Sequence, residues 1–218
     1  MAIDPNPAFR QYCEAIFELQ EDDLEVIQAR IAERLGVSRP SVSEMMRRLE
    51  TSGLTSSKDG QIKLTAKGRR LAEQAVRRHR LAERFLTDVL KLSWAEAHTE
   101  ASRWENVISE NVESAMTRLL GMPTTCPHGN PIPGTGYSAP DAYALSALDV
   151  GSRFVVTRIT EELEFAPGLL DFLEQSRITP GNGGTITAAS PDGTITVDID
   201  GRHIGIGGFA SSRILVTT

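Results

Sequence analysis

Only two cysteines occur in the 218 residues, Cys13 and Cys126, and they stand far apart. That spacing excludes a disulfide framework as the organiser of the fold and makes a reducing cytoplasm the expected home. No run approaches the roughly 18 consecutive apolar residues of a membrane-crossing helix, and the N-terminus lacks a basic-then-apolar signal pattern. The chain is therefore expected to be soluble and intracellular, with no membrane partner. Also missing are a nucleophile motif, a glycine-rich phosphate loop and a His-Glu-x-x-His helix. A metalloenzyme built on two histidines and a carboxylate is the only enzymatic reading left. Without those companions the expectation is no enzyme and no organic substrate.

What is there suffices for a sizeable core: 40% of residues are hydrophobic, and the length suits one to two domains. The most informative stretch runs from Arg30 to Leu64. Ile31, Ala32 and Leu35 keep a helical spacing that Gly36 ends, where a left-handed turn residue is wanted. Ser38 is a good N-cap, and Arg39-Pro40 opens a second helix, because proline costs nothing where the N–H has no intrahelical partner. Val42, Met45, Met46 and Leu49 fall inward on that helix; Ser41, Glu44, Arg47 and Arg48 fall outward. Leu54 to Leu64 alternates around Asp59-Gly60, a strong hairpin signal. Helix, turn, polar-faced helix and hairpin make a winged helix-turn-helix, whose second helix would enter a DNA major groove. An ordinary bundle corner would look similar but lacks the charge. Residues 30–80 hold 13 Lys+Arg against 5 Asp+Glu, a local +8 in a chain whose total is −6.

Before this motif, Ala8 to Leu19 carries Phe9, Tyr12, Ile16 and Leu19 on one face, and Gln11, Glu14 and Glu18 can converge on neighbouring positions. Glu21, Asp22, Asp23 and Glu25 are expected to form a connection and the first turn of the next helix. After the motif, Thr65 to Leu92 reads as one long helix, with Arg77-Arg78-His79-Arg80 as a solvated basic face. Ser93 to Leu120 continues helically with a break near Ser102 or Ser109. Its stripe of Trp94, Trp104, Val107, Ile108, Val112, Met116 and Leu119 exceeds what one short helix needs, which suggests a dimer seam. Met122 to Ala142 is rich in proline and glycine and reads as a semi-extended linker. Beyond it the period becomes two. Arg153–Ile159, Thr185–Ala189, Thr194–Ile199, His203–Ile206 and Arg213–Val216 are expected strands of a small barrel, with one helix at Pro167–Gln175 and the glycines near 181–184 and 205–208 in its turns.

Candidate ligands gather in three places. His79 and Glu83 stand at i and i+4 on the long helix, and a turn after Leu92 could return His98 to them. Ser102, Glu105 and Asn106 follow His98 at helical offsets, offering one carboxylate and two neutral oxygens. Cys126-Pro127-His128 holds a thiol and an imidazole two apart; the bland reading is a buried cysteine beside a surface histidine. A thiolate with imidazoles favours zinc, iron or cobalt, whereas Glu105 and Glu14 with neutral oxygens favour manganese.

The stretches ARIAERLGVSRPSVSEMMRRLETSGL, RRHRLAERFLTDVL, EAHTEASRWENVISENVE and CPHGNPIPG resemble the diphtheria toxin repressor family of metal-dependent transcription regulators, over nearly the whole chain. The resemblance implies an α+β organisation. Residues 1–72 would be a winged helix-turn-helix DNA-binding domain, and 73–121 a helical metal-binding and dimerisation domain. Residues 122–142 would be the linker, and 143–218 a Src-homology-like β-barrel. It places an ancillary metal site on His79, Glu83 and His98, and a primary site on Gln11, Ser102, Glu105 and Asn106. Iron regulators carry methionine, cysteine, glutamate and histidine at those four positions, so only Glu105 matches. Manganese regulators add first-helix carboxylates, and Glu14 sits where one would be. A streptococcal-type site maps onto Glu83, Cys126, His128 and Glu161, whereas barrel ligands of iron-type members appear here as Ala166 and Leu169, which cannot ligate.

The resulting expectation is a homodimeric repressor that binds palindromic operator DNA when a divalent transition metal is bound. Iron or manganese would be that metal, with cobalt, nickel or zinc as substitutes, and metal-homeostasis genes would be the targets. Arg39, Arg47, Arg48 and Lys58 would hold phosphates, and Ser38, Pro40, Ser41 and Glu44 would face base edges. The alternative keeps the fold with a degenerate primary site, so that DNA is read constitutively or in answer to another ligand.

Overall fold

The computed structural model describes residues 6–58 and 60–218. Two compact units emerge, Met1–His79 with Trp104–Ile108, and Arg80–Arg103 with Ser109–Thr218. The division falls inside the long helix, after His79.

In the first unit, α1 (Pro7–Glu21) begins where Asn6 accepts the Ala8 N–H at 3.1 Å with proline in the first turn. The amphipathic face expected of it is buried: Phe9, Tyr12, Ile16 and Leu19 enter the core together with Cys13. Helix α2 (Gln28–Leu35) ends at Gly36, which takes φ +62°, and α3 (Arg39–Thr51) starts on Ser38, whose hydroxyl accepts the Ser41 N–H at 3.3 Å. Ile31, Val42, Leu49 and Leu54 are wholly or almost wholly buried. Each such side chain contributes about 2 kcal/mol, which locks α2 and α3 into one corner. Strands β1 (Thr55–Lys58) and β2 (Gln61–Leu64) pair antiparallel from Thr55↔Leu64 to Lys58↔Gln61. Asp59 of the expected turn lies outside the described residues. The Ile62 N–H donates to Val26 at 3.1 Å and ties the wing to the chain before α2. One expectation is corrected here: α2 opens at Gln28, so Glu25 lies in the connection and the first turn of α2 carries no acid.

Helix α4 (Ala66–Asp88) passes from the first unit into the second and stops short of the expected Leu92, with Lys91 at φ +62°. Helix α5 (Trp94–Trp104) and α6 (Glu110–Leu119) are separated at Ser109, whose hydroxyl caps α6 by accepting the Val112 N–H. Next, the second unit builds a six-stranded antiparallel sheet from β3 (Tyr143–Ala144), β4 (Arg153–Ile159), β5 (Gly183–Ala189), β6 (Ile195–Ile199), β7 (Arg202–Ile206) and β8 (Ile214–Thr217). Their hydrogen-bonded order is β3-β8-β4-β5-β6-β7. All five expected strands are present, and β3 adds a sixth. Register shifts at Val156/Arg158 and Ile186/Ala188 mark irregularities that bend such strands. The two-residue period holds on β6, where Ile195, Val197 and Ile199 are buried. Gly183 and Gly184 belong to β5 and Gly205 to β7, so these glycines are strand residues rather than turns. Short helices α7 (Glu161–Glu164), α8 (Leu169–Gln175) and α9 (Gly208–Ser211) complete the unit; the single expected helix is α8.

The proline-rich segment is not the free spacer its composition suggests. Cys126 to Asn130 are all buried, a bridge joins Thr125 to Pro131, and the Ile159 N–H donates to the His128 carbonyl at 2.8 Å. Gly129, at φ +88°, presses so close to β4 that a Cβ there would sit 2.2 Å from the Thr157 carbonyl oxygen. The segment is a strap laid on the sheet.

Candidate metal centre and nucleic-acid interface

In the first unit, Glu14 of α1, His79 of α4 and Glu105 just after α5 bring one ligand atom each within 4.8 Å of one another. All three are buried, at 8%, 7% and 8% exposure. His79 Nδ1 lies 2.8 Å from Glu105 Oε2. Two carboxylates and one imidazole form a hard, mostly oxygen set suited to manganese or ferrous iron.

The second unit holds a softer cluster. Glu83 of α4 lies with Cys126 and His128 of the strap, their ligand atoms within 4.8 Å. His98 of α5 has Nδ1 3.0 Å from Glu83 Oε1 and 3.2 Å from Glu164 Oε2, and His128 Nδ1 lies 3.0 Å from Glu164 Oε1. Packing aims both rings: His128 meets Trp94 edge-on at 4.5 Å, and His98 meets Phe165 at 5.1 Å. Burial disfavours a charged ring at His98, yet the hydrogen bonds and charges of Glu164 and Glu83 outweigh it and raise its pKa to about 9. At His128 burial likewise opposes charge, and the same two carboxylates lift its pKa well above the ordinary value. Burial, then the charge of Glu83, pushes the Cys126 thiol up. A cation-hungry site has this signature. Its geometry fits an ion as well: neither ring nitrogen of the fully buried His128 makes a hydrogen bond of ordinary geometry, and neither does Glu164 Oε2.

Several expected ligands sit elsewhere. Glu161 Oε1 is held by Arg80, at 3.1 Å from Nε and 2.6 Å from Nη2. The barrel acid that faces the histidines is Glu164, which the sequence reading missed. Arg80, expected on a solvated face, is completely buried and also donates to the Pro131 carbonyl. His128, read as a surface histidine in the bland case, is fully buried. Gln11 is exposed on α1, and Ser102 is exposed with its hydroxyl donating to the His98 carbonyl of its own helix. Asn106, also exposed, donates from Nδ2 to Glu105 Oε1 at 3.2 Å and accepts from Arg10 at 2.7 Å.

On the other side of the first unit, Ser38, Arg39, Pro40, Ser41, Glu44, Arg47, Arg48 and Lys58 are all exposed. Arg47 pairs with Glu44 at 3.1 Å, and the Arg48 guanidinium lies 5.3 Å from the Phe9 ring centre. Both pairs leave the cations at the surface, where phosphate can compete for them.

An exposed, basic second helix of a winged helix-turn-helix defines the class as a DNA-binding regulator. Residues 7–60 match the family described as the iron-dependent repressor N-terminal DNA-binding domain. Residues 65–134 match its metal-binding and dimerisation domain, and 143–218 match the FeoA domain. The chain belongs to the iron-dependent repressor family of transcription regulators, the diphtheria toxin repressor group. It is 40% identical over 204 residues to the iron-dependent repressor IdeR of Mycobacterium tuberculosis, covering 88% of each chain. It is 44% identical over 124 residues to the diphtheria toxin repressor of Corynebacterium diphtheriae, over 56% of this chain and 55% of the other. Among solved structures, a manganese-dependent transcriptional repressor in complex with manganese superposes with TM-score 0.86 at 33% identity, covering 96% of this chain and 99% of that one.

Proposed function

We propose that the chain is a homodimeric repressor that grips palindromic operator DNA when divalent cations are held at Glu14, His79 and Glu105, and at Glu83, His98, Cys126, His128 and Glu164. Names of relatives support iron or manganese as the physiological ion. The single observation that carries the reading is the buried gathering of Glu14 of α1, His79 of α4 and Glu105 after α5, with α1 and α4 both packed in the core that holds the DNA-reading corner.

A bound dication supplies positive charge that neutralises neighbouring carboxylates and lets them share one place. The residues do the rest. Glu14 fixes α1 relative to α4 and the 104–108 turn. One turn further along α1, Glu18 accepts from Arg34 of α2 at 2.6 Å, with both side chains at most 8% exposed. The position of α1 is thereby passed to the helix that precedes the reading helix. Ligand gathering biases α3 and the wing towards the DNA-fitting arrangement only as far as the ion prefers that state. In the second unit Glu83, His98, His128 and Glu164 tie α4, α5, the strap and α7 together. Hydrophobic Val112, Leu119 and Met122, 48–66% exposed, form the dimer seam.

DNA affinity measured at fixed salt, with chelator and then with manganese, iron, cobalt or zinc, tests the reading. Tighter binding with metal, lost in Glu14→Ala, is expected. A second reading, constitutive DNA binding, draws on the exposed neutral Gln11 and Ser102. Affinity indifferent to chelator would establish it.

A further inference from the structure

We propose that Arg10 and Asn106 are positioning residues that hold Glu105 for the first-unit ion, and that Asn106 is not itself a ligand. The inference rests on the metal reading of Glu14, His79 and Glu105 given above.

The geometry is a relay. Arg10 Nη1 donates to Asn106 Oδ1 at 2.7 Å, Asn106 Nδ2 donates to Glu105 Oε1 at 3.2 Å, and Glu105 Oε2 lies 2.8 Å from His79 Nδ1. A guanidinium can only donate, so Arg10 fixes which end of the Asn106 amide faces it, and the NH2 end is left for the carboxylate. Each end of Asn106 therefore has its work. A dication on Oδ1 would have to sit beside the Arg10 guanidinium, and like charges at that range repel. Nδ2 is no metal ligand. The amide thus orients Glu105 by engaging Oε1 and presents Oε2 towards His79. Arg10 also stands at i, i+4 with Glu14 on α1, so the relay that aims Glu105 starts one turn from a second ligand.

Calorimetric titration of the full chain with manganese alone tests this. The step abolished by Glu14→Ala belongs to the first unit. Asn106→Ala changes no charge and is expected to weaken that step about three- to tenfold, the factor one net hydrogen bond supplies, while its stoichiometry and the melting temperature of the metal-free chain stay unchanged. Arg10→Ala weakens the same step in the native background, and in the Asn106→Ala background it adds no further loss, because Arg10 acts through Asn106. An Asn106→Ala affinity within twofold of native, a drop in stoichiometry, additive losses, or tightening by Arg10→Ala in the native background would each overturn the inference. If Glu14→Ala removed no step at all, the first-unit site itself would be wrong.

Discussion

Single side chains decide the chemistry of this molecule. Glu161 and Glu164 lie on the same turn, yet one neutralises Arg80 and the other faces two histidines. Glu164→Gln is expected to weaken the metal step that remains in Glu14→Ala by about tenfold or more, since a charged ligand is lost. Glu161→Gln should leave that step nearly intact and instead lower the melting temperature, because it breaks the buried Arg80–Glu161 ion pair. Calorimetry and thermal melting of both variants separate the roles. Cys13 is a buried thiol whose pKa burial pushes up to about 12. The folded chain keeps its proton while the unfolded chain releases it from about pH 9 upward, so the native state loses stability between roughly pH 9 and 12. Alkylation of Cys13 at pH 8, followed by peptide mass mapping, should run at least about tenfold more slowly in the native than in the urea-unfolded chain.

Among the elements, α1 matters most for coupling. Arg34→Met breaks the buried ion pair between α1 and α2 and is expected to cost about 3 kcal/mol in urea unfolding. Glu18→Leu combined with Arg34→Met should recover most of that stability, yet its metal-induced gain in DNA affinity should fall while manganese binding persists. Equal gains in the double variant and the native chain would remove this pair from the coupling. The strap shows how far an element's composition can mislead. Its prolines and glycines predict a spacer, but Gly129 permits a backbone approach to β4 that delivers Cys126 and His128 into the interior.

For the whole molecule, charge and association set the DNA interaction. Arg39, Arg47, Arg48 and Lys58 on two protomers give about eight phosphate contacts, so log affinity should fall with log salt at a slope of about −7. A slope near zero would contradict the placement of these cations. Leu119→Asp puts a charge on the exposed apolar stripe and is expected to yield monomers in sedimentation and to weaken operator binding by orders of magnitude.

Much of this was legible in the sequence, because local periodicity, capping and turn chemistry act over a few residues. The corner at Gly36 and Ser38, the wing, the long helix, all five expected strands and the helical spacing of His79 and Glu83 follow from such short-range rules. The tertiary structure alone decided which acid meets which base. Glu164 joins His98 and His128 across long stretches of sequence, Arg80 is drawn inside by Glu161, and Asn106 turns to Glu105 because Arg10 claims its oxygen. Those choices depend on packing and desolvation between segments far apart in the chain, and no pattern of neighbouring residues encodes them.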